Sequence, residues 1–102
     1  MTTLVNNGRS VRSNAPLREQ VASLSSGNYY ATPSEYYGKV ESTLSKEGLS
    51  LDWGRCPLTK GDGNNGYMMV PLVGDGDIDT HLWVSWHRME FSGRWEMVGY
   101  LS

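Results

Sequence analysis

The run THLWVSWHRMEF at residues 80–91, the Ser92-Gly93 step and the run RWEMVGYLS at residues 94–102 decide the fold. Apolar residues alternate with period two along both runs, and a serine-glycine step between them is a turn signal, so this stretch reads as a β-hairpin. A two-residue loop pairs Phe91 with Arg94 and sorts every later side chain onto one of two faces. One face carries Leu82, Val84, Trp86, Met97 and Leu101, with Arg88, Glu90 and Trp95 toward the turn, and its apolar end is assigned to the core. The other carries His81, Trp83, Ser85, His87, Met89 and Phe91 beside Arg94, Glu96, Val98 and Tyr100, a mixture of aromatic and charged groups typical of a binding surface. If a helix covered this second face instead, the assignment would invert.

Upstream of the hairpin, Tyr67–Val73 is a nearly continuous apolar run that suits a buried strand. Pro71 within it lacks an N–H, which favours a sheet edge or a bulge. Residues 54–66 contain Pro57 and the run Gly61-Asp62-Gly63-Asn64-Asn65-Gly66, which together read as one mobile loop. Before it, Leu49, Leu51 and Trp53 alternate with polar residues as a short strand would. Thr32 and Glu35 form a T-x-x-E capping box with Pro33 at the first helical position, and Tyr36, Tyr37, Val40 and Leu44 follow as an apolar stripe. Gly48 then predicts a left-handed C-terminal cap closed by Leu49. A first helix over about residues 15–25 is indicated by Asn14 as its cap, Pro16 in its first turn, and Leu17, Val21 and Leu24 on one face.

Residues 1–14 are polar, with Arg9 and Arg12 among them, and read as a flexible basic arm ahead of a single domain over residues 15–102. The expected fold class is therefore α+β: an antiparallel sheet of about four strands with one or two helices packed on one face, ending in the hairpin. A length of 102 residues leaves room for one core. Four Trp, six Tyr and five Met supply bulky groups to fill it. Nine basic against eleven acidic residues give a formal net charge of −2, which favours neither a polyanion binder nor a polyanion mimic. The single Cys56 excludes an intramolecular disulfide and fits a reducing compartment, and no apolar stretch is long enough for a membrane span. A cytoplasmic location follows as the expectation, in a host cytosol if the gene belongs to a phage.

Several residues invite chemistry, and none completes a motif. Asp75, Asp77 and Asp79 have the spacing that opens a calcium loop, but the pattern then needs glycine and glutamate where Thr80 and Trp86 stand, which leaves at most a weak cation site. His81 and His87 are separated by about 20 Å on an extended strand, too far to share one ion. Cys56 stands between Arg55 and Pro57 with no local nucleophile motif. The glycines at 61, 63, 66, 74 and 76 lead into no helix N-terminus that would bind phosphate. Glu90 and Glu96 fall on opposite faces and cannot flank one bond. No catalytic residue, metal or cofactor is therefore assigned.

A domain of this size without a cofactor loop or catalytic pair is expected to act by binding. The leading expectation is a non-enzymatic protein-binding module, of the kind seen in inhibitors and accessory factors of phages and mobile elements, with Trp83, His87, Met89, Phe91, Arg94 and Tyr100 as its contact residues. A second expectation is single-stranded nucleic-acid binding by the same aromatic face, with Arg9 and Arg12 on phosphates. A third is structural: the arm and an open Tyr67–Val73 edge let copies assemble by strand addition, giving a particle or a homodimer. The pairs Tyr29-Tyr30 and Tyr36-Tyr37 are candidates either for an interface or for sealing the core edge.

Overall fold

The computed structural model describes residue 11 and residues 14–25, 27–56, 58–75 and 78–102. Helix α1 spans Ala15–Ser23, strand β1 Tyr29–Tyr30, helix α2 Pro33–Ser45 and strand β2 Ser50–Leu51. A 3-10 turn at Trp53–Arg55 leads to β3 (Leu58–Gly61), β4 (Asn65–Val73), β5 (His81–Arg88) and β6 (Trp95–Leu101). All pairings are antiparallel, in the order β1-β6-β5-β4, with β2 and β3 side by side along the far edge of β4. The α+β class with its C-terminal strand pair is as the sequence predicts, with two more strands than expected.

Both helices begin where their side chains can cap them. The Asn14 carboxamide oxygen accepts from the Leu17 N–H at 3.1 Å, and the Thr32 hydroxyl accepts from the Glu35 N–H at 3.3 Å. Glu35 reaches back to the Ala31 N–H at 3.1 Å, one residue upstream of the usual capping-box contact. The second helix ends as its glycine predicts: Gly48 has φ of 72°, the Leu49 N–H donates to the Leu44 carbonyl, and Leu49 is buried.

The core lies between these helices and one face of the sheet. Leu17 and Val21 of α1 and Tyr36, Val40 and Leu44 of α2 are buried with Leu51, Val70, Leu72, Leu82, Val84, Met97 and Leu101. The hairpin face assigned to the core is therefore the inner one, and Trp86 and Trp95 pack against it while remaining partly exposed. Gly99 is the point of closest approach. A Cβ there would lie 2.0 Å from the Tyr36 hydroxyl oxygen, so only glycine lets α2 settle on β6. The Gly99 N–H donates to the Ser25 hydroxyl at 2.8 Å, which satisfies the edge of β6 beyond β1.

The structure corrects the register, the loop and the edge expected from the sequence. The hairpin register is shifted by two residues: Leu82 pairs with Leu101 and Arg88 with Trp95, and Met89 and Arg94 close a four-residue loop, Glu90–Gly93. A two-residue loop of the favoured kind needs positive φ at both positions, which Gly93 adopts at 70° but which would cost Ser92 a steric penalty. Because the shift is even, every side chain of β5 and β6 keeps its predicted face, whereas Glu90 and Phe91 pass into the loop.

The segment 54–66 is not one loop. It contains β3 and a tight turn in which Asp62 accepts from the N–H groups of Asn64 and Asn65 at 2.8 and 3.0 Å. Across that turn Gly61 pairs with Gly66, and the Trp86 ring lies over the pair and donates its indole N–H to the Asp62 carbonyl at 3.2 Å. The strand predicted at Leu49, Leu51 and Trp53 shrinks to β2, with Trp53 in the 3-10 turn.

The third correction concerns β4, which is an interior strand, so the open edge expected at Tyr67–Val73 does not exist. β5 lines one side of it. On the other, β3 pairs as far as Met69 and β2 resumes at Leu72, while the Pro71 carbonyl accepts from the Asp52 N–H at 2.8 Å. The missing N–H of Pro71 therefore falls at the changeover between two short strands, where the ladder is already interrupted.

Candidate functional site

The sheet face turned away from the helices is built row by row by the strand register, since residues directly opposite in antiparallel pairs share a face. Met69, Trp83 and Tyr100 form one row across β4, β5 and β6. Tyr67, Ser85 and Val98 form the next, continued on β3 by Lys60. Asn65, His87 and Glu96 form a third, continued on β1 by Tyr29. At the opposite end of the strands Pro71 and His81 complete the face, and there Pro71 is buried.

The three outer rows are open. Tyr67, Val98 and Tyr100 are each about half exposed, at 45%, 47% and 53%, and Tyr29 matches them, while Met69 and Trp83 are partly buried between their neighbours. The resulting patch is apolar and aromatic at its centre. Lys60 stands on one flank and Glu96 on the other, and neither has an ion-pair partner among the described residues.

Of the residues named from the sequence, Trp83 and Tyr100 are a direct cross-strand pair at the centre of this patch, and His87 lies two residues along β5. Met89 and Arg94 pair at the start of the turn through the Met89 N–H and the Arg94 carbonyl at 2.7 Å, which continues the face beyond β5 and β6. Phe91 projects fully into solvent at the turn tip, away from the patch. His87 and Met89 also line a hollow of about 380 Å³ with Asn64, Arg88, Glu90 and Gly93.

Tyr67, Met69 and Val98 enlarge the patch beyond the contact set read from sequence, and Lys60 and Tyr29 border it. Alternation within Tyr67–Val73 carried the signal for the first two: once Val70 and Leu72 face the core, Tyr67 and Met69 must face away. Lys60 had no such signal because β3 itself was hidden.

The chemical candidates stay apart. Cys56 donates its thiol hydrogen to the Met69 carbonyl at 3.3 Å and lies 3.3 Å from the Thr59 hydroxyl, at the seam between β3 and β4. His81 has backbone bonds to Ser102 at the far end of the sheet from His87. Asp75 and Asp79 are described and Asp77 is not, and no group of three His, Cys, Asp or Glu among the described residues is placed to hold a metal ion. Arg9 and Arg12 lie outside the described residues. No helix among the described residues is long and apolar enough to cross a membrane.

The tyrosine pairs divide between core and surface. Tyr30 and Tyr36 are buried edge to face with ring centroids 5.4 Å apart, and Tyr36 meets Tyr37 in the same manner. Tyr37 in turn meets Trp53 at 4.9 Å. Burial pushes the Tyr36 phenol up to about 12, with the neighbouring Ser25 hydroxyl pulling the other way. Burial raises Tyr37 as well, followed by the influence of Tyr36 and Cys56. These four rings serve the core and its margin, whereas Tyr29 belongs to the outer face.

No family model, curated protein or solved structure matches the chain.

Proposed function

We propose that this chain is a non-enzymatic protein-binding module whose docking surface is the outer face of the sheet. The observation that carries the reading is the contiguity of Met69, Trp83 and Tyr100 with Tyr67 and Val98 across three neighbouring strands. Single exposed apolar residues are ordinary on any protein, but a connected patch of them is a feature of interaction sites. Rigid aromatic groups near the patch centre are the kind of anchor that carries most of the energy of a protein interface.

Charge separates this reading from nucleic-acid binding. The open rows hold one lysine and one glutamate, and Arg94 at the turn adds one further cation, whereas a phosphate-tracking surface gains its affinity from clustered Lys and Arg. On this reading the chain acts by docking a protein on that face.

The test is affinity capture from lysate of the native host, with and without nuclease, comparing the wild-type chain with a Trp83→Ala/Tyr100→Ala double variant of verified fold. A protein retained after nuclease treatment and lost with the double variant supports the reading. Retention that disappears with nuclease would replace it with nucleic-acid binding, and retention indifferent to both substitutions would move the site elsewhere.

A further inference from the structure

We infer that the outer face docks a second copy of this chain, face to face, about a two-fold axis running along the strands between β4 and β5. The inference rests on reading that face as a docking surface and names its occupant. A two-fold axis in that position carries β4 of one copy over β5 of the other, and β3 over β6, without moving any residue out of its row. The face is complementary to itself under this operation. Tyr67, a large half-exposed side chain, falls opposite Ser85, the smallest side chain of the open rows, and Met69 falls opposite Trp83.

The charges agree with the same operation. Lys60 on β3 falls opposite Val98 of the second copy, one row from its Glu96, and same-face rows are about 7 Å apart, within reach of a lysine side chain. Symmetry makes the contact twice. An unrelated partner would need an independently matched pair of charges on opposite flanks, whereas a second copy supplies them by construction.

The open rows of β3 to β6 measure about 19 Å by about 20 Å. That footprint is smaller than the ~800 Å² per partner of a typical stable interface. The dimer is therefore expected to be reversible and to populate with rising concentration.

Sedimentation velocity of the full chain over a concentration series, with matched thermal melts, tests the arrangement. The wild-type chain should shift from monomer to dimer, and Lys60→Glu or Glu96→Lys alone should each weaken association by about tenfold or more. An equimolar mixture of the two variants should recover association to within a few-fold of wild type, because each contact then joins opposite charges. No merely structural role of either residue produces that recovery. A wild-type chain that stays monomeric throughout, or a mixture no better than its components, overturns the second copy as occupant while leaving the docking surface to the capture experiment above. A dimer that survives Trp83→Ala/Tyr100→Ala overturns the self-docking face, and unchanged capture by the same variant is the separate result that removes the docking reading.

Discussion

The two faces of one sheet are made by the same strands, yet they differ in what fixes their residues. On the inner face, Leu82, Leu101, Val70 and Met97 have almost no contact with solvent, and Gly99 is confined by the Tyr36 hydroxyl to a residue without a Cβ. Across the open rows of the outer face, half-exposed Tyr67, Val98 and Tyr100 surround Ser85, and among the described residues none of these three belongs to the buried core. Apolar residues outside the core, gathered in one patch, are the residues to examine for binding. Stability measurements can separate the faces, and the largest effects should come from within.

Leu82→Ala removes a fully buried side chain that neighbours Val70 and Leu101 across the two flanking strands, and should cost about 2–5 kcal/mol in urea unfolding. A cost below about 1 kcal/mol would mean that the inner face is not the core. Gly99→Ala should cost about 1–3 kcal/mol through overpacking. Part of that cost should vanish in a Tyr36→Phe background, because the substitution removes the oxygen nearest the new methyl group while leaving the ring carbon 3.2 Å away. Strict additivity of the two changes would show that α2 does not rest on β6 as described.

Alkaline titration gives an independent reading of the inner side. The Tyr36 pKa is raised above its unfolded value of 10.0 to about 12, so folding favours the neutral phenol. Its contribution is fully present below about pH 10 and declines as pH rises toward 12, because the unfolded chain releases that proton first. Burial shifts Tyr37 in the same direction, so it adds to the decline. Unfolding free energy should therefore fall between pH 10 and 12, and Tyr36→Phe should flatten that fall. An unchanged slope in Tyr36→Phe would indicate that its hydroxyl is hydrated in the folded chain.

What could be read from the sequence follows the same division. Helix starts were legible because a cap is a local contract between a side chain and an N–H three residues on, as Asn14 with Leu17 and Thr32 with Glu35 demonstrate. Hairpin faces were legible because period two survives an even register shift, although the turn itself was misjudged. The positions of β1 and β3 were not. Leu58–Gly61 has no alternating apolar pattern, and its place depends on backbone pairing with β4 and on the close approach of Gly61 and Gly66 beneath Trp86. Without β3, Pro71 could suggest only an edge or a bulge, and Lys60 could not be placed on the flank of the patch.

The smallest predicted effect is the one that bears most directly on the proposed site. Val98→Thr keeps the β-branched shape that suits a strand and removes only exposed apolar surface, so its stability change should stay within about 0.5 kcal/mol. Tyr100→Ser also removes its contact with Trp83 across β5 and β6 and should cost somewhat more, about 0.5–1 kcal/mol. If both remain this mild in urea unfolding while association through the face is lost, the aromatic surface is retained for a partner. If either unfolds the chain, the outer face contributes to folding after all, and the contrast between the two sides of the sheet does not identify a site.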